Sequence, residues 1–300
     1  MSNLRKIGEF GLIERMVKKI AVDKSVIQGI GDDTAVLPYT KESYLLFTTD
    51  MLIEGVHFSR QEATFTQIGR KALAVNISDI AAMGGVPKYA VVSLGLPRGL
   101  CLRAVDDIMR GINTLAQEYG LNIVGGDTVR SSKITLCITL LGQVKKTNLT
   151  LRSRAGLGDL IFVTGSLGGS RNLKQFNFFP RVAEAQQIIK KFKPSAMIDL
   201  SDGLASDLER IAQSSKVGAV IFEQLIPVSR GATLNQALFQ GEDFELLFTV
   251  PLSSVRRLHK KSAKFTISCI GKVVERKKGL QLIDNKARIE RLKQKGFRHF

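Results

Sequence analysis

The residues that could do chemistry are acidic, in a chain that is otherwise basic. Asp32 and Asp33 follow Gly29-Ile30-Gly31, Asp50 follows Thr48 and Thr49, and Asp127 follows Gly125-Gly126. Asp79 interrupts the apolar stretch AVNISDIAAMGG, and Asp199, Ser201 and Asp202 lead into Gly203. Clustered carboxylates raise one another's pKa unless a cation neutralises them. An oxygen donor set without Cys or His favours a hard ion, Mg²⁺ or Mn²⁺. Mg²⁺ on few carboxylates completes its shell with water and substrate phosphates, so the chemistry indicated is nucleotide phosphate handling. Each acid also has an ordinary structural explanation: Asp33 as a turn residue, Asp50 as a helix cap, Asp79 on a polar edge shared with Asn76. Their recurrence at loop ends after strands, where α/β proteins collect ligands, favours a site. The patterns GxxxxGK[ST] and GxGxxG are both absent, which excludes a P-loop enzyme and a dinucleotide-binding dehydrogenase.

The elements that position these acids follow from periodicity. Phe10, Ile13, Val17 and Ile20 predict an amphipathic helix over 9–20. Phe65, Ile68, Ala72, Val75 and Ala82 predict a helix over 65–83, with Asp79 in the same row. A third helix is expected over 102–119. Strands are expected at 44–49, at 89–97 ended by Pro97, at 121–124 and at 134–142. Asp50 then ends one strand, and Asp127 directly follows another. The polar, glycine-bearing stretch 143–158 reads as a junction, giving a first domain over 1–148 and a second over 149–300. The second run has strands at 160–164, 197–200, 219–223, 244–250, 266–273 and 280–283. Its helices are expected near 182–192, from about 203 and near 253–262, with 165–180 as loop. Both halves are α/β, or α+β, in plan.

Composition limits the classes. The chain has 300 residues, 44% hydrophobic and 24% charged, enough for a sizeable core. No run reaches the roughly 18 apolar residues of a membrane span. The charged start is not a secretory signal. Three separated cysteines with no CxxC support neither a disulfide framework nor a zinc site, and point to a reducing cytoplasm. The net charge of +17 is mostly C-terminal, since residues 253–300 hold 15 basic and 3 acidic residues. That face could meet a polyanion, but no aromatics alternate with its basic residues as stacking on nucleic acid requires.

Seven motifs in order carry a resemblance: GIGDDTAVL (29–37), TTDMLIEGVHF (48–58), KALAVNISDIAAMGG (71–85), GGDTVRS (125–131), IDLSDGLASDL (198–208), GEDFELLFTV (241–250) and GFRHF (296–300). From about Gly8 to Phe300 the chain resembles the thiamine-monophosphate kinases of the aminoimidazole-ribonucleotide-synthetase-like superfamily. The resemblance implies ATP-dependent phosphorylation of thiamine monophosphate to thiamine diphosphate by direct in-line transfer, with no general base or nucleophile. It implies several Mg²⁺ ions on Asp33, Thr48, Asp50, Asp79, Asp127, Asp199 and Asp202, with Thr49 in the same motif. ATP would meet Gly126, Asp127, Arg152 and Ser201, and the substrate His57, Glu242 and Phe297. The implied fold pairs N-terminal mixed sheets of two subunits into a dimeric barrel, with a C-terminal α/β domain completing the site. Arg154, Gly169 and Arg298 depart from the family pattern and bear on substrate affinity. Two other readings are another ATP-using enzyme of the superfamily and a polyanion-binding protein using the basic face.

Overall fold

The structure is a computed structural model that describes residues 4–170, 173–255 and 265–292. Two sheets carry the chain. The first contains β1 (Ala35–Pro38), β2 (Ser43–Ile53), β3 (Val86–Leu96), β4 (Asn122–Arg130) and β5 (Thr135–Lys145), in the order β1-β2-β5-β3-β4. β3 and β4 are parallel, joined by a helical crossover, and the other neighbours are antiparallel. The sheet follows α1 (Leu4–Val17) and includes two long helices, α2 (Phe65–Ala82) and α3 (Leu102–Glu118). Leu136, Ile138 and Leu140 of β5 are fully buried in one core with Ile68, Leu73 and Ile77 of α2 and Ile108 and Ile112 of α3. The alternate residues of the sheet face outward: Phe47, Met51, Tyr89 and Val91 are all exposed.

The start and path of α2 are set locally. Thr64 and Gln67 form a reciprocal capping box at its N-terminus. Two glycines then let α2 and α3 cross at close range. A Cβ on Gly69 would lie 2.0 Å from the Ile108 carbonyl oxygen, and one on Gly111 would lie 2.0 Å from that of Thr66.

The second sheet contains β6 (Leu160–Thr164), β7 (Ala196–Asp199), β8 (Gly218–Phe222), β9 (Leu246–Val250), β10 (Ile267–Val274), β11 (Leu280–Ile283) and β12 (Ile289–Arg291). Their order is β12-β11-β8-β10-β6-β9-β7. The helices of this half are α4 (Lys174–Asn177), α5 (Val182–Phe192), α6 (Leu204–Ser215), α7 (Leu234–Phe239) and α8 (Leu252–Val255). Phe176 of α4 and Phe244 join the core of the first half, and Ala81 and Ala82 of α2 join a core with α5, β7 and β9. So α2 is packed by both halves.

Several expectations need correction. Asp50 lies inside β2, which continues to Ile53 by pairing with β5 as far as Thr135. Asp127 lies within β4, where Gly126 serves close strand approach and not a turn: a Cβ on it would lie 1.8 Å from the Val92 carbonyl oxygen. The first helix ends at Val17, and Gly8 inside it has φ 63. Phe244 has φ 50, a left-handed value, so β9 begins at Leu246. The segment 165–180 includes the short α4. β1, α7 and β12 had no clear signal, being three to six residues long. Of the helix expected near 253–262, residues 256–264 lie outside the described residues.

Candidate active site

A cleft of about 970 Å³ opens between the two halves. Its floor is acidic. Asp33 comes from the GDD turn, Asp79 from α2 and Asp199 from the end of β7, and each offers an oxygen within 4.8 Å of the others. Asp33 and Asp199 are buried. Thr48 Oγ1 donates to Asp79 Oδ2 at 2.6 Å, and Ser78 Oγ donates to Asp199 Oδ2 at 2.6 Å. Neighbouring residues of α2 thus serve opposite halves of the molecule.

Burial and mutual repulsion dominate the electrostatics. Burial, then the charges of Asp50, Asp199 and Asp33, hold the Asp79 carboxyl well above its usual range, and the Thr48 hydrogen bond only opposes this. Asp199 is raised likewise, by burial and then by Asp33. Asp50 is pushed up to about 6 by burial and by Asp202. Asp32, beside Asp33, rises to about 7, again chiefly through burial. Like charges at this spacing need a counter-charge.

One counter-charge is Arg152. Its Nη2 donates to Asp33 Oδ1 at 2.5 Å, and its backbone N–H to Asp32 Oδ2 at 3.2 Å. Burial disfavours its charge, but Asp33 and Asp32 hold it protonated. Arg210 is the second, paired with Asp202 and, at 2.8 Å, with Asp207. A third cation, Lys71, is fully buried and contacts Glu242 at 2.5 Å. Even so, Asp33 Oδ2 is buried with no hydrogen-bond partner among the described residues. Ser170 Oγ and Gln240 Oε1, in residues that line the cleft, are in the same state. Native proteins seldom leave such groups unpaired, so three around one cleft mark where a ligand belongs. The donor set at Asp33, Asp79 and Asp199 is oxygen only and acidic, and it fits a hard divalent cation.

The other candidate residues divide by place. Asp50, Thr49, His57, Ser201, Asp202 and Glu242 line the cleft. His57 Nδ1 accepts the Ile53 N–H at 3.0 Å, which leaves the ring proton on Nε2 when the ring is neutral. Ser201 and Asp202 precede Gly203, whose φ of 103 starts α6. Gly241 admits the neighbouring turn, because a Cβ there would lie 2.2 Å from the Ser201 carbonyl oxygen. Gly126 and Asp127 are not brought to the acidic floor. They lie on the edge strand β4, exposed, three strands from β2, on the order of 14 Å at the usual strand spacing. Asp127 shares the open face of the sheet with Thr49, through Ser93 and Cys137 and the alternation of side chains. Arg154 is exposed. Phe297 and Arg298 lie outside the described residues.

Sequence reasoning missed Lys71, Ser78 and Arg210. A lysine or arginine in a helix ordinarily reads as a solvated side chain. The available signal was the apolar setting of Lys71 in KALAV.

Comparison with known proteins places this arrangement. Residues 31–144 match the AIR synthase related protein N-terminal domain, and residues 157–283 the AIR synthase related protein C-terminal domain. The thiamine-monophosphate kinase of Buchnera aphidicola subsp. Schizaphis graminum is 36% identical, covering 98% of this chain and 99% of that protein. The chain belongs to the thiamine-monophosphate kinase family. The Bacillus subtilis member is 34% identical over 98% of this chain and 100% of its own length. A solved structure of the family, AaThiL complexed with AMPPCP and TMP, superposes with a TM-score of 0.86 at 33% identity, covering 100% of this chain and 99% of that one. The mixed two-domain fold is therefore that of the family.

Proposed function

We propose that this protein transfers the terminal phosphoryl group of ATP to thiamine monophosphate, giving thiamine diphosphate. The carrying observation is the acidic cluster of Asp33, Asp79 and Asp199 at the floor of a cleft whose wall holds His57 and Glu242. We divide the chain at residues 148–149, in the turn after β5, so that each half supplies part of the cluster. Mg²⁺ held by Asp33, Thr48, Thr49, Asp50, Asp79, Asp127, Asp199 and Asp202 would offset the negative charge shared by two phosphate-bearing reactants.

The acceptor is a phosphate oxygen, already deprotonated, so transfer needs placement more than a general base. Ser201 and the N-terminus of α6, a helix of 12 residues, present hydroxyl and backbone N–H groups to an anion. Arg152 holds Asp33 in place through its Nη2 hydrogen bond to Oδ1, and is our candidate for contact with ATP along with Gly126 and Asp127. His57, with its proton on Nε2, and Glu242 would meet the thiamine moiety. We assign Phe297 to stack on it, from its place in the GFRHF motif. Because Asp127 and Thr49 sit on the open sheet face, we infer that two copies pair there into a barrel and carry Asp127 into the finished site. Cys101, Cys137 and Cys269 are free thiols, which suits a cytoplasmic enzyme. Among the described residues no helix is long and apolar enough to cross a membrane.

The test is chromatographic. Incubation with ATP, Mg²⁺ and thiamine monophosphate should yield thiamine diphosphate and ADP in equal amounts, and omission of Mg²⁺ should abolish both. ATP consumption without thiamine diphosphate would refute the proposal.

A further inference from the structure

Lys71 has no solvent exposure at all, although it sits in the first half of α2 beside the cleft. Its ammonium group has three protons to donate. It donates to the His57 carbonyl oxygen at 2.7 Å, to Gln175 Oε1 at 2.6 Å and to Glu242 Oε1 at 2.5 Å. The Phe176 ring lies 5.0 Å from the same nitrogen, within cation–π range. Burial draws the Lys71 pKa down, and the Glu242 charge and hydrogen bond act against that.

The three acceptors come from separate segments of the chain, and His57, Gln175 and Glu242 all line the cleft. Glu242 has a left-handed φ of 68, costly for a residue with a Cβ. It is held there by its N–H to the Ser201 carbonyl at 2.8 Å and by Lys71. Lys71 uses Oε1 alone, and Glu242 Oε2 makes no hydrogen bond among the described residues.

We propose that Lys71 is a positioning residue that ties His57, Gln175 and Glu242 into one wall and turns Glu242 Oε2 toward a ligand bearing an N–H or cationic group. The inference rests on the assignment of that wall to thiamine monophosphate, whose aminopyrimidine and thiazolium rings supply such groups. Lys71 does not touch the substrate, so its influence passes through Glu242. It belongs to substrate binding and not to nucleotide binding.

Steady-state kinetics for both substrates on the wild type, Lys71→Met, Glu242→Gln and the double variant test this. Formation of thiamine diphosphate by the wild type is measured first, and its absence would refute the functional proposal itself. Given wild-type turnover, Lys71→Met should raise KM for thiamine monophosphate tenfold or more and leave KM for ATP within twofold. The double variant should be no worse than Glu242→Gln alone, because contributions routed through one group do not add. Equal damage to both KM values, or full additivity in the double variant, would overturn the inference. If Lys71→Met does not fold, Gln175→Met removes one leg and keeps the lysine. It should raise KM for thiamine monophosphate severalfold with ATP unaffected, and no change would overturn the inference equally.

Discussion

Asp50, Asp79 and Asp199 are held above their usual carboxyl range by burial and by one another, so the cation-free protein carries a penalty that depends on pH. The sign follows from proton uptake. A carboxyl whose folded pKa exceeds its unfolded pKa binds more protons when folded, so stability falls as pH rises between the two values. For Asp50 that window runs from 3.8 to about 6, and the loss is at most about 3 kcal/mol. Melting curves in chelator should therefore show Tm falling from pH 4 to pH 7, and Mg²⁺ should restore it at pH 7. Asp50→Asn should flatten the profile, raise Tm in chelator at pH 7 and abolish turnover. A chelated wild type that gains stability across that range would contradict the assignment.

The long elements were the most legible. Helices α2, α3 and α5 were read to within a residue or so, because their apolar rows are long enough for the period to show. The glycines were less legible, since a glycine pair signals a turn and a close approach equally well. Gly126 took the second role, which hid the continuation of β4 and put Asp127 in a strand. The acidic set was visible in the sequence, but its partners were not, because nothing local links Ser78 to Asp199 or Lys71 to Glu242. The close approaches make their own prediction. Gly69→Ala forces a Cβ to within 2.0 Å of backbone in α3, so the helices must part, at a cost of about 1–3 kcal/mol. Tm should drop by several degrees. Gly99→Ala, where nothing lies within 4 Å, should leave it unchanged. Equal melting temperatures would show that α2 and α3 have slack.

At the scale of the molecule, the open face of the first sheet is its most unbalanced surface. Phe47, Met51, Tyr89 and Val91 are between 38% and 52% exposed, and among the described residues β4 is the edge strand beside them. Contiguous apolar exposure of this kind marks an interaction surface. Sedimentation should give twice the mass of one chain. Val91→Arg, in the middle of that face, should yield a folded monomer with little turnover. An active monomer would separate the acidic site from the pairing of sheets.

Because α2 takes its partners from both halves, the order of synthesis also matters. Lys71 and Glu242 are 171 positions apart. A ribosome adding roughly 5–20 residues per second leaves about 10–30 s between the two. Throughout that interval a growing chain holds a helix whose lysine lacks its Glu242 partner, and whose Ser78 waits for Asp199. The first half can form its sheet early, but the wall of the cleft can be assembled only after the segment carrying Glu242 has been made. The cleft wall is thus a late product of synthesis, and a chain released before Glu242 carries the helix without the means to finish it.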